Sequence, residues 1–281
     1  MEIQGWRYYL HAAIPTCAPH EIPNLEPVFN GQIFKQDKKA YIARYITDWD
    51  CGYETNWWYV IKDTPFNIDS LKAKRRYEIN KGNKNFDVRK ILVNEFAEQV
   101  YEVTKQAYES WPKKYRPSVE YEKFMKNLPS WNVYTAYGAF SKKDGSLCGY
   151  ALLRPCGKLL DFCVLRVMPK MENQSINAAI VSGILNDNEE LFKMGGYISD
   201  GSRNIRHETA FQDYLEKYFD FRKVYCKLNM VYSPFFGMLI KLIYPFRKII
   251  FKFDGIRFVN KVSTILALEN IVREQKVVER K

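Results

Sequence analysis

A carboxylate interrupts an apolar stretch in the middle of the sequence. Asp161 lies within Leu159–Val167, which is predicted to be a buried central strand. A buried carboxylate is unfavourable unless a cation pairs with it or its pKa is raised. A general base that deprotonates an amine needs this kind of environment, so Asp161 is a candidate catalytic residue. The alternative is that Asp161 faces solvent at the beginning of its strand.

A second group of polar residues follows the strand predicted at Tyr197–Asp200. The group consists of Asp200, Ser202, Arg203, Arg206 and His207. Ligands collect at the carboxyl ends of strands in open α/β sheets, so these side chains are candidates for a site. His207 could act as a general base, Asp200 could orient an amine, and Arg203 could bind phosphate. The alternative is a glycine turn and a capped helix, with Asp200 and Ser202 as turn formers.

Basic residues are concentrated in two segments. The 281 residues include 43 Lys and Arg against 32 Asp and Glu, a net charge of +11. Residues 70–90 carry +6 and residues 233–261 carry +5, so the remainder is neutral. The positive charge therefore does not indicate a basic surface for general nucleic-acid binding. It indicates two local anion-binding sites.

The first basic segment is predicted to be a helix from Leu71 to Lys81, capped by Asp69 or Ser70 and stopped by Gly82. Several of its cations are one or two helical turns apart and could converge on a phosphate-bearing ligand. The alternative is a solvated helix face. The candidate binding residues are Lys72, Lys74, Arg75, Arg76 and Lys81.

The second basic segment, Phe235–Phe253, mixes apolar and basic residues. On a helical wheel Lys241, Lys248 and Lys252 fall within about 40° of one another, and apolar residues cover much of the rest. Pro245 is expected to kink this helix. Such a segment is typical of a helix lying on an anionic membrane surface. The alternative is a helix docked on the protein with its basic residues outward.

Trp57 and Trp58 could stack on a sugar ring, although core packing is the alternative for both. No histidines or cysteines have metal-ligand spacing, so no metal is expected. Phosphate-loop, dinucleotide-binding and serine-hydrolase motifs are absent from the sequence. We see no signal peptide and no apolar stretch of about 20 residues, so we expect a cytoplasmic protein that could associate peripherally with the inner face of a membrane.

The predicted elements that position these residues are mixed. From residue 86 they run strand, two helices, antiparallel strands, helix, strand, helix, strand. This order predicts an α/β (α+β) fold with a mostly antiparallel sheet and flanking helices. We expect three segments: 1–85 with strands and the basic helix, 86–232 as a transferase-like domain, and 233–281 as basic amphipathic helices.

The element order resembles the GNAT acyltransferase superfamily, in particular where "GSLCGYALLRP" leads into the strand "LLDFCVLRVMP". The segment "SLKAKRRYEINKGNKNFDVRKI" is similar to a helix and strand that precede GNAT-like domains in Fem-type aminoacyltransferases and in related enzymes of bacterial surface-polysaccharide clusters. The stretch Tyr197–Leu228 resembles the closing elements of the same fold. The resemblance places Tyr232 where some GNAT enzymes keep a general acid.

The resemblance implies transfer of an acyl group from acyl-CoA, in particular acetyl-CoA, to an amine on a phosphate-bearing or lipid-linked polysaccharide precursor. The glycines that bind the CoA pyrophosphate in a typical GNAT enzyme are missing here, and other polar residues occupy the corresponding stretch. The candidate cofactor-binding residues are Val167, Met168, Lys170, Asn173, Gln174 and Ser175. One alternative is a Fem-type enzyme that uses aminoacyl-tRNA. Another is a non-catalytic module that binds RNA or a membrane.

Overall fold

The structure, a computed structural model, describes residues 2–35, 40–113, 116–205, 210–253 and 255–278. Its strands are β1 (Glu2–Ile3), β2 (Trp6–Tyr9), β3 (Ala12–Pro15), β4 (Ile42–Thr47), β5 (Trp57–Lys62), β6 (Phe86–Ile91), β7 (Thr135–Ser141), β8 (Leu147–Cys156), β9 (Leu159–Val167), β10 (Tyr197–Ser202) and β11 (Arg222–Tyr232). Its α-helices are α1 (Glu26–Phe29), α2 (Ala73–Asn85), α3 (Ala97–Glu109), α4 (Tyr121–Asn127), α5 (Ile176–Asp187), α6 (Glu189–Lys193), α7 (Ala210–Phe219), α8 (Pro234–Ile243), α9 (Arg247–Lys252) and α10 (Arg257–Val278). The α/β class expected from the sequence is confirmed.

The chain forms two compact units, and each unit is discontinuous in sequence. Unit 1 comprises residues 1–60, 202–209 and 223–281, and unit 2 comprises residues 61–201 and 210–222. The segments expected from the sequence, 1–85, 86–232 and 233–281, are continuous, and their independence as domains stays a prediction.

The sheet of unit 2 has the strand order β10-β9-β8-β7-β6. Its neighbours pair antiparallel, except that β9 and β10 are parallel. The helix α3 packs on one face of this sheet and α5 on the other. Adjacent residues of a strand point to opposite faces, so neighbouring residues of β8 contact different helices. On β8 the Tyr150 hydroxyl lies 2.8 Å from that of Thr104 on α3, while a Cβ on the neighbouring Gly149 would meet Ile176 of α5. The core between α3 and the sheet contains Val93, Val100, Val103, Leu128, Ala136, Phe140, Leu147, Tyr150 and Leu152.

In unit 1 the strand order is β1-β2-β3-β4-β11. Here β3 and β4 are parallel, whereas β1 and β2, β2 and β3, and β4 and β11 pair antiparallel. The helix α10 packs Leu268, Ile271 and Val272 against Trp57 and Leu228. Further along α10, Leu266 contacts Ile240 of α8 in a second apolar cluster.

Several predicted strands have the predicted bounds: Trp57–Lys62, Phe86–Ile91, Leu159–Val167 and Arg222–Tyr232. These segments are rich in β-branched and aromatic residues, which suit a pleated, half-buried surface. The expected helix at Phe235–Phe253 is divided into α8 and α9 by a single 3₁₀ turn at Tyr244–Phe246, which contains Pro245.

The prediction for the basic helix was wrong at both ends. The helix α2 begins at Ala73 after Lys72, which makes no side-chain cap. Asn67 instead caps a separate 3₁₀ turn at Ile68–Ser70. Gly82 does not end α2 but lies buried inside it, because the helix continues to Asn85. The reason is tertiary: Gly82 lies where α2 packs closely against α5.

The part of the chain that the structure describes has no helix long and apolar enough to cross a membrane. All six cysteines are thiols.

Candidate active site

Asp161 is paired with a cation across the sheet. Arg154 on β8 stands opposite Asp161 on β9, and its Nη2 donates to Asp161 Oδ2 at 2.9 Å. The Asp161 side chain is 19% exposed, so the carboxylate is largely desolvated. A buried carboxylate was expected to need a cationic partner, and Arg154 is that partner. The pair places a negative charge near the beginning of β9.

The two parallel strands of unit 2 diverge directly after Asp161. Leu159, Leu160 and Asp161 are in register with Tyr197, Ile198 and Ser199. Among the described residues this register goes no further, although β9 continues to Val167 and β10 to Ser202. The backbone of β9 beyond Asp161 therefore has peptide groups that β10 does not use, and such groups can polarise a carbonyl.

Asp200 is the first residue of β10 beyond that register. Burial, followed by the negative charge of Asp161, raises the pKa of Asp200 to about 7, while a hydrogen bond from Gln212 lowers it. Gln212 is 5% exposed, and its Nε2 also donates to the backbone oxygen of Asp200 at 3.1 Å. A carboxyl group with a pKa near neutrality can accept and release a proton under physiological conditions.

An irregularity in β9 lies beside these carboxylates. Leu152 of β8 is opposite Val164, but the next residue, Leu153, is opposite Phe162. Cys163 is thus the extra residue of a β-bulge, and its side chain is exposed. Bulges bend a strand and increase its twist, and they are common near active sites. The bulge helps to turn β9 at the point where its register with β10 ends.

Of the residues that sequence reasoning did not name, Arg154 and Gln212 contribute most to this arrangement. Arg154 could have been found, because a tight hairpin between Cys156 and Leu159 places residues 154 and 161 opposite each other. Gln212 could not, because its position depends on how α7 packs on the sheet. The candidate active site of unit 2 therefore consists of Asp161, Arg154, Asp200 and Gln212.

The basic side chains of α2 have different environments. Arg76 donates to the backbone oxygens of Asp69 and Leu71, and Arg75 lies over the ring of Tyr218 at 5.6 Å. Lys72 and Lys74 are exposed. The part of the predicted phosphate site that remains open to a ligand is therefore the exposed pair at the beginning of α2.

The stretch that replaces the glycine loop forms a 3₁₀ turn over Pro169–Gln174, followed by Ser175 in the left-handed conformation (φ 64°) and then α5. Ser175 gives no side-chain cap to α5. Helix α2 lies against this turn: Lys81 Nζ donates to the backbone oxygen of Asn173 at 2.6 Å, and Asn85 Nδ2 donates to that of Gln174 at 3.4 Å. Lys81 thus supports the turn and is engaged there.

The fit of this turn to a pyrophosphate is partial. An uncapped helix N-terminus favours an anion, and the exposed Lys170 is close in sequence. Val167 is buried, however, and the turn has no glycine to let backbone approach a phosphate closely. Lys170 also lines a groove of about 550 Å³ with Pro169 and residues of α3. The residues present could hold an anionic group, but they do not build a glycine-lined cradle.

The contact between α2 and α5 is very close at Gly82. A Cβ on this residue would lie 2.5 Å from the Ser175 backbone oxygen and 3.0 Å from the Ala179 nitrogen. Only glycine lets α2 approach the beginning of α5 to this distance. The position of the turn at 169–175 is therefore fixed by α2.

In unit 1 the predicted substrate-binding residues divide into two types. Trp57 is 2% exposed and belongs to the core, so it does not offer a ring surface to a sugar. Trp58 is partly exposed, with Arg203 at 4.5 Å and Lys223 at 5.1 Å from its ring centroid. Arg203 also donates to the backbone oxygen of Asn56 at 2.8 Å. Ser202 is partly exposed at the end of β10.

Tyr232 lies in unit 1, at the end of β11. Its hydroxyl donates to Glu269 Oε2 at 2.6 Å, and Glu269 also accepts from Arg273 Nε at 2.7 Å. Burial and the hydrogen bond to Glu269 raise the pKa of Tyr232 above its usual value. The phenol is thereby held as a donor to Glu269, and its role as a general acid stays a prediction.

His207 and Arg206 lie outside the described residues. Their predicted roles therefore stay predictions. The described residues contain no group of His, Cys, Asp and Glu side chains suited to a metal ion.

Comparison with known proteins identifies the fold. No protein-family model matches the chain, and no curated protein matches it. Among solved structures, FemX matches with a TM-score of 0.53 at 10% identity, over 77% of each chain. L-PGS from Bacillus licheniformis matches with a TM-score of 0.50 at 10% identity, over 85% of this chain and 83% of that one. A conserved protein of unknown function from Bacteroides thetaiotaomicron VPI-5482 matches with a TM-score of 0.51 at 12% identity, over 78% of each chain. The chain therefore has a GNAT/Fem-like fold.

Proposed function

We propose that this protein is an N-acyltransferase, which moves an acyl group from an activated donor to an amine. The observation that carries the proposal is the position of Asp200. A carboxyl group with a pKa near 7 lies where β9 and β10 diverge, beside the cation-paired Asp161. The fold shared with FemX and L-PGS supports a transferase.

In the proposed reaction Asp200 accepts a proton from the attacking amine. The amine nitrogen then forms a bond to the acyl carbonyl carbon, and the bond from that carbon to the sulfur or oxygen of the donor breaks. The leaving group takes up a proton as it departs. Peptide N–H groups of β9 beyond Asp161 stabilise the negative charge that develops on the carbonyl oxygen. Burial and then the negative charge of Asp161, which is paired with Arg154, keep the pKa of Asp200 high. His207 is the alternative base.

For the acceptor, the family resemblance favours an amino sugar on a phosphate-bearing or lipid-linked precursor of a surface polysaccharide. The exposed cations Lys72 and Lys74 suit the phosphate of such a molecule. Trp58, flanked by Arg203 and Lys223, is a polar aromatic surface of the kind that contacts sugars.

Acyl-CoA is the first candidate donor, with Lys170 and the beginning of α5 as its phosphate site. The second candidate is aminoacyl-tRNA, the donor that the resemblance to Fem-type enzymes implies. A specific observation favours this second candidate: the turn at 169–175 lacks glycine and is supported by α2, whereas a CoA pyrophosphate is usually bound by a glycine loop.

The donor is tested by calorimetry on the full chain. Acetyl-CoA is titrated into the wild type and into Lys170→Ala, and unfractionated aminoacyl-tRNA is titrated in parallel against uncharged tRNA. Micromolar acetyl-CoA binding that weakens in Lys170→Ala supports the CoA donor. Binding of charged tRNA alone supports the aminoacyl donor. If neither donor binds, the transferase proposal fails and a non-catalytic binding module is favoured.

The chemistry is then tested with a radiolabelled donor and a panel of amino sugars and their nucleotide-linked forms. Product that forms with wild type and is lost in Asp200→Asn supports Asp200 as the base. Full activity of Asp200→Asn, with loss in His207→Ala, would assign the base to His207 instead. Full activity of a variant that carries both Asp200→Asn and His207→Ala would exclude both residues as the general base.

A further inference from the structure

Unit 1 carries a continuous stripe of exposed apolar side chains on α8, the following 3₁₀ turn and α9. Several are large and more than half exposed, including Phe235 at 74%, Leu242 at 64% and Phe246 at 59%. The full stripe consists of Phe235, Met238, Leu239, Leu242, Phe246, Ile249 and Phe253. Exposure of so many neighbouring apolar side chains is unusual for a surface that remains in water.

The spacing of the residues on α8 places them on one face. Phe235, Met238, Leu239 and Leu242, separated by three or four residues or lying next to one another, fall within an arc of about 100° on a helical wheel. The ten residues of α8 extend about 15 Å at 1.5 Å per residue. Beyond the 3₁₀ turn at Tyr244–Phe246, exposed apolar side chains continue with Phe246 and Ile249.

The opposite face of the same helices is already packed in unit 1. Ile240 is 2% exposed and Tyr244 is 8% exposed, and both belong to one apolar cluster with Leu266 of α10. Arg247 lies 4.2 Å from the Tyr244 ring and donates to Asn270 of α10 at 3.2 Å. Because α8 and α9 are held by this inner face, the outer stripe is presented by a folded scaffold. Its exposure is therefore not explained by a core that failed to form.

Lysines accompany the apolar stripe on both helices. Lys241 on α8 and Lys248 and Lys252 on α9 are exposed, and Lys248 and Lys252, four residues apart, share one face of α9. The segment Pro234–Phe253 contains no acidic residue. Its charged residues are therefore all basic. A partner that matches this segment has an apolar interior and an anionic surface.

We propose that α8 and α9 bind an anionic lipid bilayer, with the apolar stripe inserted at the boundary between headgroups and acyl chains and the three lysines on the anionic headgroups. Interfacial helices bind in this way, with an apolar face buried and basic residues beside it. A second copy of this chain is a poorer occupant, because its own uniformly basic segment would repel the first. This proposal does not depend on the transferase function.

The experiment is flotation of the full chain with vesicles. Vesicles of phosphatidylcholine alone are compared with vesicles that contain 30% phosphatidylglycerol, at low and at high salt. The wild type should float with the anionic vesicles and less so at high salt. Lys241→Gln, Lys248→Gln and Lys252→Gln together should weaken this binding by about 100-fold, since each lysine near the surface contributes about fivefold.

The apolar contribution is tested with Phe235→Ser, Leu242→Ser and Phe246→Ser together. These side chains are exposed, so the variant should keep its folded circular dichroism while it loses flotation. The matched control replaces three exposed apolar residues elsewhere, Leu10, Leu92 and Val133, with Ser, and it should float like the wild type.

Two results would overturn the proposal. One is equal flotation of the wild type and the apolar variant. The other is a dimer in sedimentation equilibrium that the apolar variant abolishes, in the absence of flotation, because it would assign the stripe to a second copy.

Discussion

Asp161 stands in register with Ser199, so Asp200 is the residue at which the two parallel strands of unit 2 separate. The negative charge of Asp161 is held by Arg154, and it contributes with burial to a pKa of about 7 for Asp200. The guanidinium of Arg154 stabilises the charge of Asp161, and that charge disfavours ionisation of Asp200. The two neighbouring carboxyl groups thus lie in different electrostatic environments.

Activity should depend on pH through Asp200. As a general base, Asp200 must be ionised, so kcat/KM should rise with pH and level off above about 7. Asp200→Asn should lower kcat by about 10²–10⁴-fold and remove this limb of the profile. The measurement is steady-state transfer between pH 5 and 9. Asp87→Asn, an exposed carboxylate on β6, is the matched control and should follow the wild-type profile.

Stability should depend on pH in the opposite sense. Because the folded-state pKa of Asp200 is raised, the folded protein binds this proton more tightly than the unfolded chain. Its contribution is fully present below about pH 4 and is lost as pH rises through about 7. Asp200→Asn should therefore be more stable than the wild type by about 1–3 kcal/mol at pH 8, and the difference should shrink toward pH 4. Urea unfolding at several pH values measures it. A difference that does not vary with pH would contradict the raised pKa.

Gln212 should set the position of the activity profile. Its hydrogen bond lowers the pKa of Asp200, so Gln212→Met should raise that pKa further. The rising limb of kcat/KM should move to higher pH, while activity at pH 9 should be largely kept. A uniform loss of activity at every pH would indicate that the substitution disturbs the packing of α7 and leaves the proton equilibrium unchanged.

Gly82→Ala should destabilise the protein, although alanine is the better helix former. The new Cβ would lie 2.5 Å from the Ser175 backbone oxygen, so α2 must move away from α5. We expect a loss of about 1–3 kcal/mol in the free energy of unfolding. Asn80→Ala, exposed on the same helix, is the control and should be neutral or slightly stabilising. Equal effects of the two substitutions would show that α2 and α5 are not in this contact.

Tyr232→Phe should lower stability. The substitution removes the donor to Glu269 Oε2, and Glu269 is 8% exposed, so its oxygen loses a partner away from water. The expected cost is about 1–3 kcal/mol in urea unfolding. Tyr9→Phe, at an exposed position, should cost nothing measurable. If Tyr232→Phe unfolds like the wild type, the bond to Glu269 contributes no net stability.

The sequence by itself determined the element order from residue 86 onward, several strand bounds and the basic amphipathic character of Phe235–Phe253. These properties follow from local periodicity and from composition, which need no knowledge of distant contacts. It also identified Asp161 as a carboxylate that required a partner. The tight hairpin between Cys156 and Leu159 places Arg154 opposite Asp161, so this partner could also have been predicted from the sequence.

Only the tertiary structure decided the rest. Gly82 has the sequence appearance of a helix stop, yet it lies within α2 because α5 packs there too closely for any Cβ. Trp57 and Trp58 are identical and adjacent in sequence, but alternation along β5 buries one and leaves the other partly exposed. The state of Asp200 depends on Asp161 and Gln212, which lie 39 and 12 residues away along the chain. Burial and charge act through space, so a pKa of about 7 is a property of the folded sheet and of the helix packed upon it.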